Sequence, residues 1–164
     1  MLKPNKLAKN NFLSSLDMTA EEAIHILDLA TSFKNKDLSI QFKDKVLGLI
    51  FEKSSTRTRV SFQVAMSRLG GTTIDLNPRT SQIGRGEPIK DTPRVLSRYC
   101  DVIAIRTFNP TDLEEYAKWS TKPVINALTD LEHPCQALAD FLTIKEKFLL
   151  IYMLGGNAKQ LRFR

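Results

Sequence analysis

The sequence predicts an α/β domain, a parallel sheet flanked by helices on both faces. Three observations predict it. Short unbroken apolar runs, Val46 to Phe51 and Val102 to Ile105, have the character of strands covered on both sides. Longer stretches with apolar residues at helical spacing lie before and between them. The two kinds of segment alternate, and a strand–helix–strand alternation implies parallel βαβ units. The order of the strands in the sheet is left open.

Each element has its own signal. Ala20 to Lys34 carries Ala23, Ile26, Leu27 and Ala30 on one helical face. Asp17 or Thr19 suits its cap, and Glu21 and Glu22 suit the positive end of its dipole. Val46 to Phe51 is the first core strand. Thr56 to Leu69 reads as a helix stopped by Gly70-Gly71. Thr72 to Leu76 is a short strand. Ile89 to Tyr99 is helical, and Pro93 must lie in its first turn or kink it. Val102 to Ile105 is a strand, Asp112 to Trp119 a helix, Val124 to Asn126 a strand and Pro134 to Phe148 a helix.

Composition bounds the function. The chain has 164 residues, 42% hydrophobic and 26% charged, which is globular rather than disordered. Its longest apolar run, Phe148 to Leu154, falls far short of the roughly 20 residues of a membrane span. No apolar region follows the lysines of the N-terminus, so no signal peptide is expected. Two cysteines, Cys100 and Cys135, and two histidines suit neither a disulfide framework nor a zinc site. A reducing, cytoplasmic setting is expected. The net charge of +6 suggests an anionic partner. Arg57, Arg59, Arg85 and Arg106 stand near loop–helix junctions, no Lys/Arg run of five occurs, and aromatics do not interleave with arginines. That distribution suits a compact phosphate better than nucleic acid, although a basic nucleic-acid-binding module remains the competing class.

Ligands of open α/β sheets bind beyond the carboxyl ends of the strands. Three polar clusters fall at such ends. Glu52 to Arg59 follows the first core strand and opens a helix, where hydroxyls and arginines would join free backbone N–H groups as an anion site. Arg106-Thr107-Phe108 follows the strand ending at Ile105. Leu128 to Gln136 follows the strand at Val124, with Pro134 suited to a first helical turn and His133 to its cap. Each has a plainer reading: Ser54-Ser55-Thr56 as an ordinary cap, His133 as a capping residue, Arg106 as a surface charge. Their convergence on one sheet edge favours a site. No Walker-type phosphate loop occurs, Gly84-Arg85-Gly86 does not continue as a dinucleotide fingerprint, and the Glu21/Glu22 and Glu114/Glu115 pairs read as solvated.

Ser55-Thr56-Arg57-Thr58-Arg59 resembles the carbamoyl-phosphate signature of the aspartate/ornithine carbamoyltransferase family, and His133-Pro134-Cys135-Gln136-Ala137-Leu138-Ala139-Asp140 resembles its second signature. Ser81 to Thr92, Arg106-Thr107-Phe108 and Leu128-Thr129-Asp130 look like the ornithine branch. The resemblance covers about Phe12 to Phe148. It implies the carbamoyl-phosphate domain, with four or five parallel strands, in a homotrimer with active sites between subunits. It implies that Ser55, Thr56, Arg57 and Thr58 hold the phosphate, with Arg106 and with Gln82 from a neighbouring chain. Thr58, Arg106 and His133 would face the carbamoyl oxygen, Gln136 the carbamoyl nitrogen, and the Leu128 carbonyl would lie on the ornithine side. No metal or organic cofactor is implied.

The implied activity is ornithine carbamoyltransfer in arginine metabolism. The family's second domain, which binds ornithine, carries an Asp-x-x-x-Ser-Met-Gly loop and a His-Cys-Leu-Pro segment, and neither occurs in this sequence. The expectation is therefore a carbamoyl-phosphate domain at residues 1–148, a truncated or altered tail at 149–164 and no ornithine domain. A catalytically inactive remnant that at most binds carbamoyl phosphate is the alternative.

Overall fold

The structure, a computed structural model, describes residues 7–36, 40–78 and 81–153. Helix α1 spans Ala20–Lys34 and is followed by strand β1, Val46–Phe51. Helix α2 is Arg57–Arg68, β2 is Thr72–Leu76 and α3 is Asp91–Leu96. Then come β3, Val102–Arg106, α4, Pro110–Trp119, β4, Val124–Leu128, and α5, Pro134–Met153. The four strands form one parallel sheet in the order β2-β1-β3-β4.

That order decides where a ligand can sit. The chain leaves β1 toward β2 on one side and leaves β3 toward β4 on the other. The connections diverge between β1 and β3, so a crevice opens at their carboxyl ends. Glu52 follows β1 there, and Arg106 ends β3.

Alternation along β1 feeds two cores. Leu47, Leu49 and Phe51 pack with Met66 of α2 and with Ala104 and Ala127. Ile50 packs on the other face with Leu96 and Cys100, Ile103 and Ile105 of β3, and Leu113 and Tyr116 of α4. Leu49, Ile50, Ile103 and Ile105 are wholly buried, as the two-sided apolar runs require. Residues that size bury about 1.5–3 kcal/mol of transfer free energy each. Gly48 has no side chain where a Cβ would stand 2.9 Å from Cys100 Sγ, so β1 and the segment between α3 and β3 approach closely.

Most elements match the sequence reading, and the differences have local causes. Thr19 caps α1 in a reciprocal box with Glu22, while Asp17 serves a preceding 3₁₀ turn capped by Ser14. No residue of α1 is fully buried, because it packs on α5 rather than on the sheet. Helix α2 ends into Gly70, whose φ of 78° needs a glycine. Pro93 lies in the first turn of α3, which ends at Leu96, short of Tyr99, where the Ser97 hydroxyl bonds back to the Pro93 carbonyl at 2.6 Å. Helix α4 starts two residues early because Asn109 caps it and Pro110 supplies the first turn. The backbone of α5 continues past Phe148 to Met153, so the tail expected at 149–164 begins within this helix; residues 154–164 lie outside the described residues.

One component escaped the periodicity. Phe12 bridges Ile125 alongside β4, donating to the Val124 carbonyl at 2.9 Å and accepting from Asn126 N–H at 2.8 Å. Asn11 Oδ1 accepts from Val124 N–H at 2.9 Å, and Asn126 Nδ2 donates to the Leu13 carbonyl at 2.8 Å. The segment before α1 is thus a strap along the sheet's edge.

Candidate functional site

A cavity of about 670 Å³ opens at the carboxyl ends of β1, β3 and β4. Arg57, Thr58, Arg106, Leu128, His133 and Gln136 all line it. Two helices aim their N-termini there. Thr56 precedes α2 without making a side-chain cap, and the first intrahelical bond runs from Val60 N–H to the Thr56 carbonyl. First-turn N–H groups of a helix have no intrahelical partner and favour anions. The plain-cap reading of Thr56 therefore fails.

Arg106 is half-buried, and its Nε is fully buried with no hydrogen-bond partner. Burial pulls its pKa below the ordinary guanidinium value, and arginine still keeps its charge. A desolvated guanidinium of this kind is not a surface charge and calls for an anion or a carbonyl oxygen.

His133 does cap α5. Its carbonyl accepts from Gln136 N–H at 3.0 Å, and its Nδ1 accepts from the same N–H at 3.3 Å. An accepting Nδ1 puts the proton of a neutral imidazole on Nε2. Burial first, and the Arg106 charge second, hold its pKa below the usual histidine value, with Asp140 opposing. The capping and site readings are thus compatible: the cap sets the tautomer, and Nε2–H is left as a donor.

Three loops are braced around these groups. Thr107 is fully buried and donates to Glu52 at 2.5 Å. Lys53 pairs with Asp130 and stands 4.6 Å over the Phe108 ring. Thr107 N–H donates to the Leu128 carbonyl at 3.0 Å, beside a register shift that sets Arg106 opposite Leu128. Ser15, on the strap, donates to Glu132 through its N–H at 3.0 Å and its hydroxyl at 2.9 Å.

Residues 10–146 match the family described as aspartate/ornithine carbamoyltransferase, carbamoyl-P binding domain. An ornithine carbamoyltransferase of Prochlorococcus marinus (strain MIT 9312) is 83% identical over 149 residues, 91% of this chain and 48% of that protein. The ornithine carbamoyltransferase structure from Pyrococcus furiosus superposes with a TM-score of 0.81 at 50% identity, covering 88% of this chain and 47% of the other. That from Gloeobacter violaceus gives 0.78 at 51%, covering 85% and 46%. The chain belongs to the aspartate/ornithine carbamoyltransferase family. It spans about half the length of the curated relatives it matches.

Against the carbamoyltransferase signatures, the structure gathers most of the expected residues. Arg57, Thr58, Arg106, Leu128, His133 and Gln136 share one cavity. Ser55 and Thr56 stand in the turn leading into α2, outside the lining. Arg59 turns away, 3.5 Å from Asp75 on β2 and 5.0 Å from the Phe51 ring centroid. Gln82 is exposed on a 3₁₀ turn and borders a separate cavity of about 190 Å³ with Ser81, Glu87 and Thr92. The reading by clusters missed Ser61, Phe62, Ala65 and Ala139 in the lining, and the bracing by Glu52, Thr107 and Glu132. Helical spacing from Thr58 and Gln136 would have found the lining residues.

No helix among the described residues is long and apolar enough to cross a membrane, and no metal-binding cluster of His, Cys, Asp or Glu occurs among them.

Proposed function

We propose that this chain supplies the carbamoyl-phosphate site of an ornithine carbamoyltransferase, which transfers the carbamoyl group to the δ-amine of ornithine and releases citrulline and phosphate. The single observation carrying this reading is the common cavity of Arg57, Thr58, Arg106, His133 and Gln136 at the carboxyl ends of the sheet. Branch motifs and the names of the relatives support ornithine as the acceptor.

In this reading the phosphate lies on the N-terminus of α2. First-turn N–H groups, that of Thr58 among them, the hydroxyls of Ser55 and Thr56, and the Arg57 guanidinium hold its charge. A neutral amine attacks the carbamoyl carbon, and negative charge grows on the carbonyl oxygen. Thr58, Arg106 and the Nε2–H of neutral His133 donate to that oxygen. Donors already fixed in place need no reorganisation as the charge develops. Gln136 receives the carbamoyl nitrogen, with the Leu128 carbonyl beside the incoming amine. The arginines then stabilise the departing phosphate. Gln82 serves a neighbouring copy in a homotrimer, which accounts for its standing outside this chain's own cavity. The setting is cytoplasmic, in arginine biosynthesis. Residues 1–148 form the donor-binding unit, and α5 continues from it as far as Met153.

Isothermal calorimetry on this chain with carbamoyl phosphate and inorganic phosphate tests the reading. Arg57→Ala should remove a charge-assisted contact of about 1.5–3 kcal/mol. Unchanged affinity in that variant would sink it. Sedimentation showing a strict monomer at every concentration would remove the shared site.

A further inference from the structure

Gln136 and Asp140 stand one turn apart on α5, and both are exposed. Gln136 Nε2 donates to Asp140 Oδ1 at 2.9 Å. Gln136 lines the cavity, and Asp140 does not. A carboxylate only accepts, so the amide must turn its NH2 group toward Asp140. The amide is planar, so its carbonyl oxygen stands on the edge away from Asp140, beside the one N–H that Asp140 does not take. The main chain of Gln136 is independently held, because its N–H is bonded to both the carbonyl and Nδ1 of His133. The bond to Asp140 favours that orientation of the amide over the reversed one.

We propose that Asp140 is a positioning residue that fixes the Gln136 amide with its oxygen toward the donor, so that the site selects an acyl phosphate bearing an NH2 group. The inference rests on the carbamoyl-phosphate reading above. An unrestrained glutamine presents either edge, and a reversed amide would offer a donor to any carbonyl compound. Held by Asp140, it keeps its oxygen, an acceptor, toward the donor. A carbamoyl group satisfies that acceptor with N–H, and an acetyl group leaves it unpaired at the cavity wall. A site built around an acceptor rejects the analogue lacking the matching donor. The plainer role of the pair is a helix-surface bond between positions i and i+4. That role would affect helix stability and leave selectivity untouched.

The experiment uses the whole chain and two stable ligands that differ only in NH2 against CH3, phosphonoacetamide and acetonylphosphonate, with inorganic phosphate as a third. Calorimetry reads the ratio of the two phosphonate affinities. A ratio cancels the general effect of removing a carboxylate near an anion. The unaltered chain should prefer the amide about tenfold, one net hydrogen bond. Asp140→Leu should bring the ratio to within about twofold of unity, and Asp140→Glu, which keeps an acceptor on the same face, should retain most of the preference. Gln136→Met should abolish it, and Gln136→Met/Asp140→Leu should lose no more than Gln136→Met alone, since Asp140 acts through Gln136. Should Asp140→Leu fail to fold by circular dichroism, Asp140→Ser carries the same comparison. A full preference kept by a folded Asp140 variant overturns the inference. So does equal binding of both phosphonates by the unaltered chain. Failure of the unaltered chain to bind any of the three ligands overturns the underlying carbamoyl-phosphate reading instead.

Discussion

Thr107 and Glu52 lock together the two strands that border the site. The Thr107 hydroxyl donates to one oxygen of the Glu52 carboxylate at 2.5 Å, and the Tyr116 hydroxyl reaches the other at 3.4 Å. The Glu52 N–H donates in turn to the Arg106 carbonyl at 2.9 Å. The end of β1 is thereby tied to the end of β3 and to α4 behind it. Arg106 sits within this brace, so its guanidinium is carried by a backbone held from both sides.

Glu52→Ala is expected to destabilise the fold by about 1–3 kcal/mol, because it strands the hydroxyls of Thr107 and Tyr116, both fully buried. Urea denaturation measures the loss. Glu52→Gln keeps an acceptor and should cost less. Equal stability of Glu52→Ala and the unaltered chain would contradict the brace.

Burial, and then the neighbouring Glu52 carboxylate, raise the Tyr116 phenol above its ordinary 10.0. A raised pKa means that the folded state holds its proton more tightly than the unfolded chain. The associated stability is complete below pH 10.0 and is lost as the pH rises above it. Tyr116→Phe should flatten that alkaline decline in unfolding experiments. An unchanged decline would assign it to other groups.

His133 should titrate below its ordinary 6.5, because burial and then Arg106 disfavour the imidazolium. Arg106→Gln should raise the midpoint, and Asp140→Asn should lower it further, read by NMR of the imidazole carbons. The linked stability is present above pH 6.5 and is lost as the pH falls through the folded midpoint. A midpoint at or above 6.5 would show that burial and Arg106 do not disfavour the imidazolium as the structure requires.

Asn11→Ala is expected to cost about 1–3 kcal/mol, since it leaves the N–H of fully buried Val124 without its acceptor. Hydrogen exchange at Val124 should quicken together with exchange in residues 129–133, which the same strap holds through Ser15 and Glu132. Faster exchange at Val124 alone would show that the strap does not support the site loop.

Much of the fold is legible in the residues because it rests on local rules. Val46 to Phe51 reads as a two-faced strand, Gly70 ends α2 by its positive φ, and α1 starts where Asp17 or Thr19 suits its cap, the structure choosing Thr19. The site is partly legible for the same reason: Thr58 and His133 fall where strands give way to helices, and those junctions carry free N–H groups. Gln82 and Arg59 lie in equally suggestive motifs and do not reach this chain's cavity. Motif spacing does not say which way a side chain turns, and Asp75 and the Phe51 ring draw Arg59 away.

By itself the sequence determined the alternation of elements, the start of α1 and the junctions at which the candidate site residues stand. These depend on neighbours within a turn or two, where periodicity and capping chemistry act. Only the tertiary structure decided that β1 lies beside β3, that Arg106 is desolvated against His133, and that Ser15 holds Glu132 across 117 positions of chain. Those relations come from closing long loops around a shared core. The free energy that selects them is spread over many buried contacts, so no short stretch of residues encodes it.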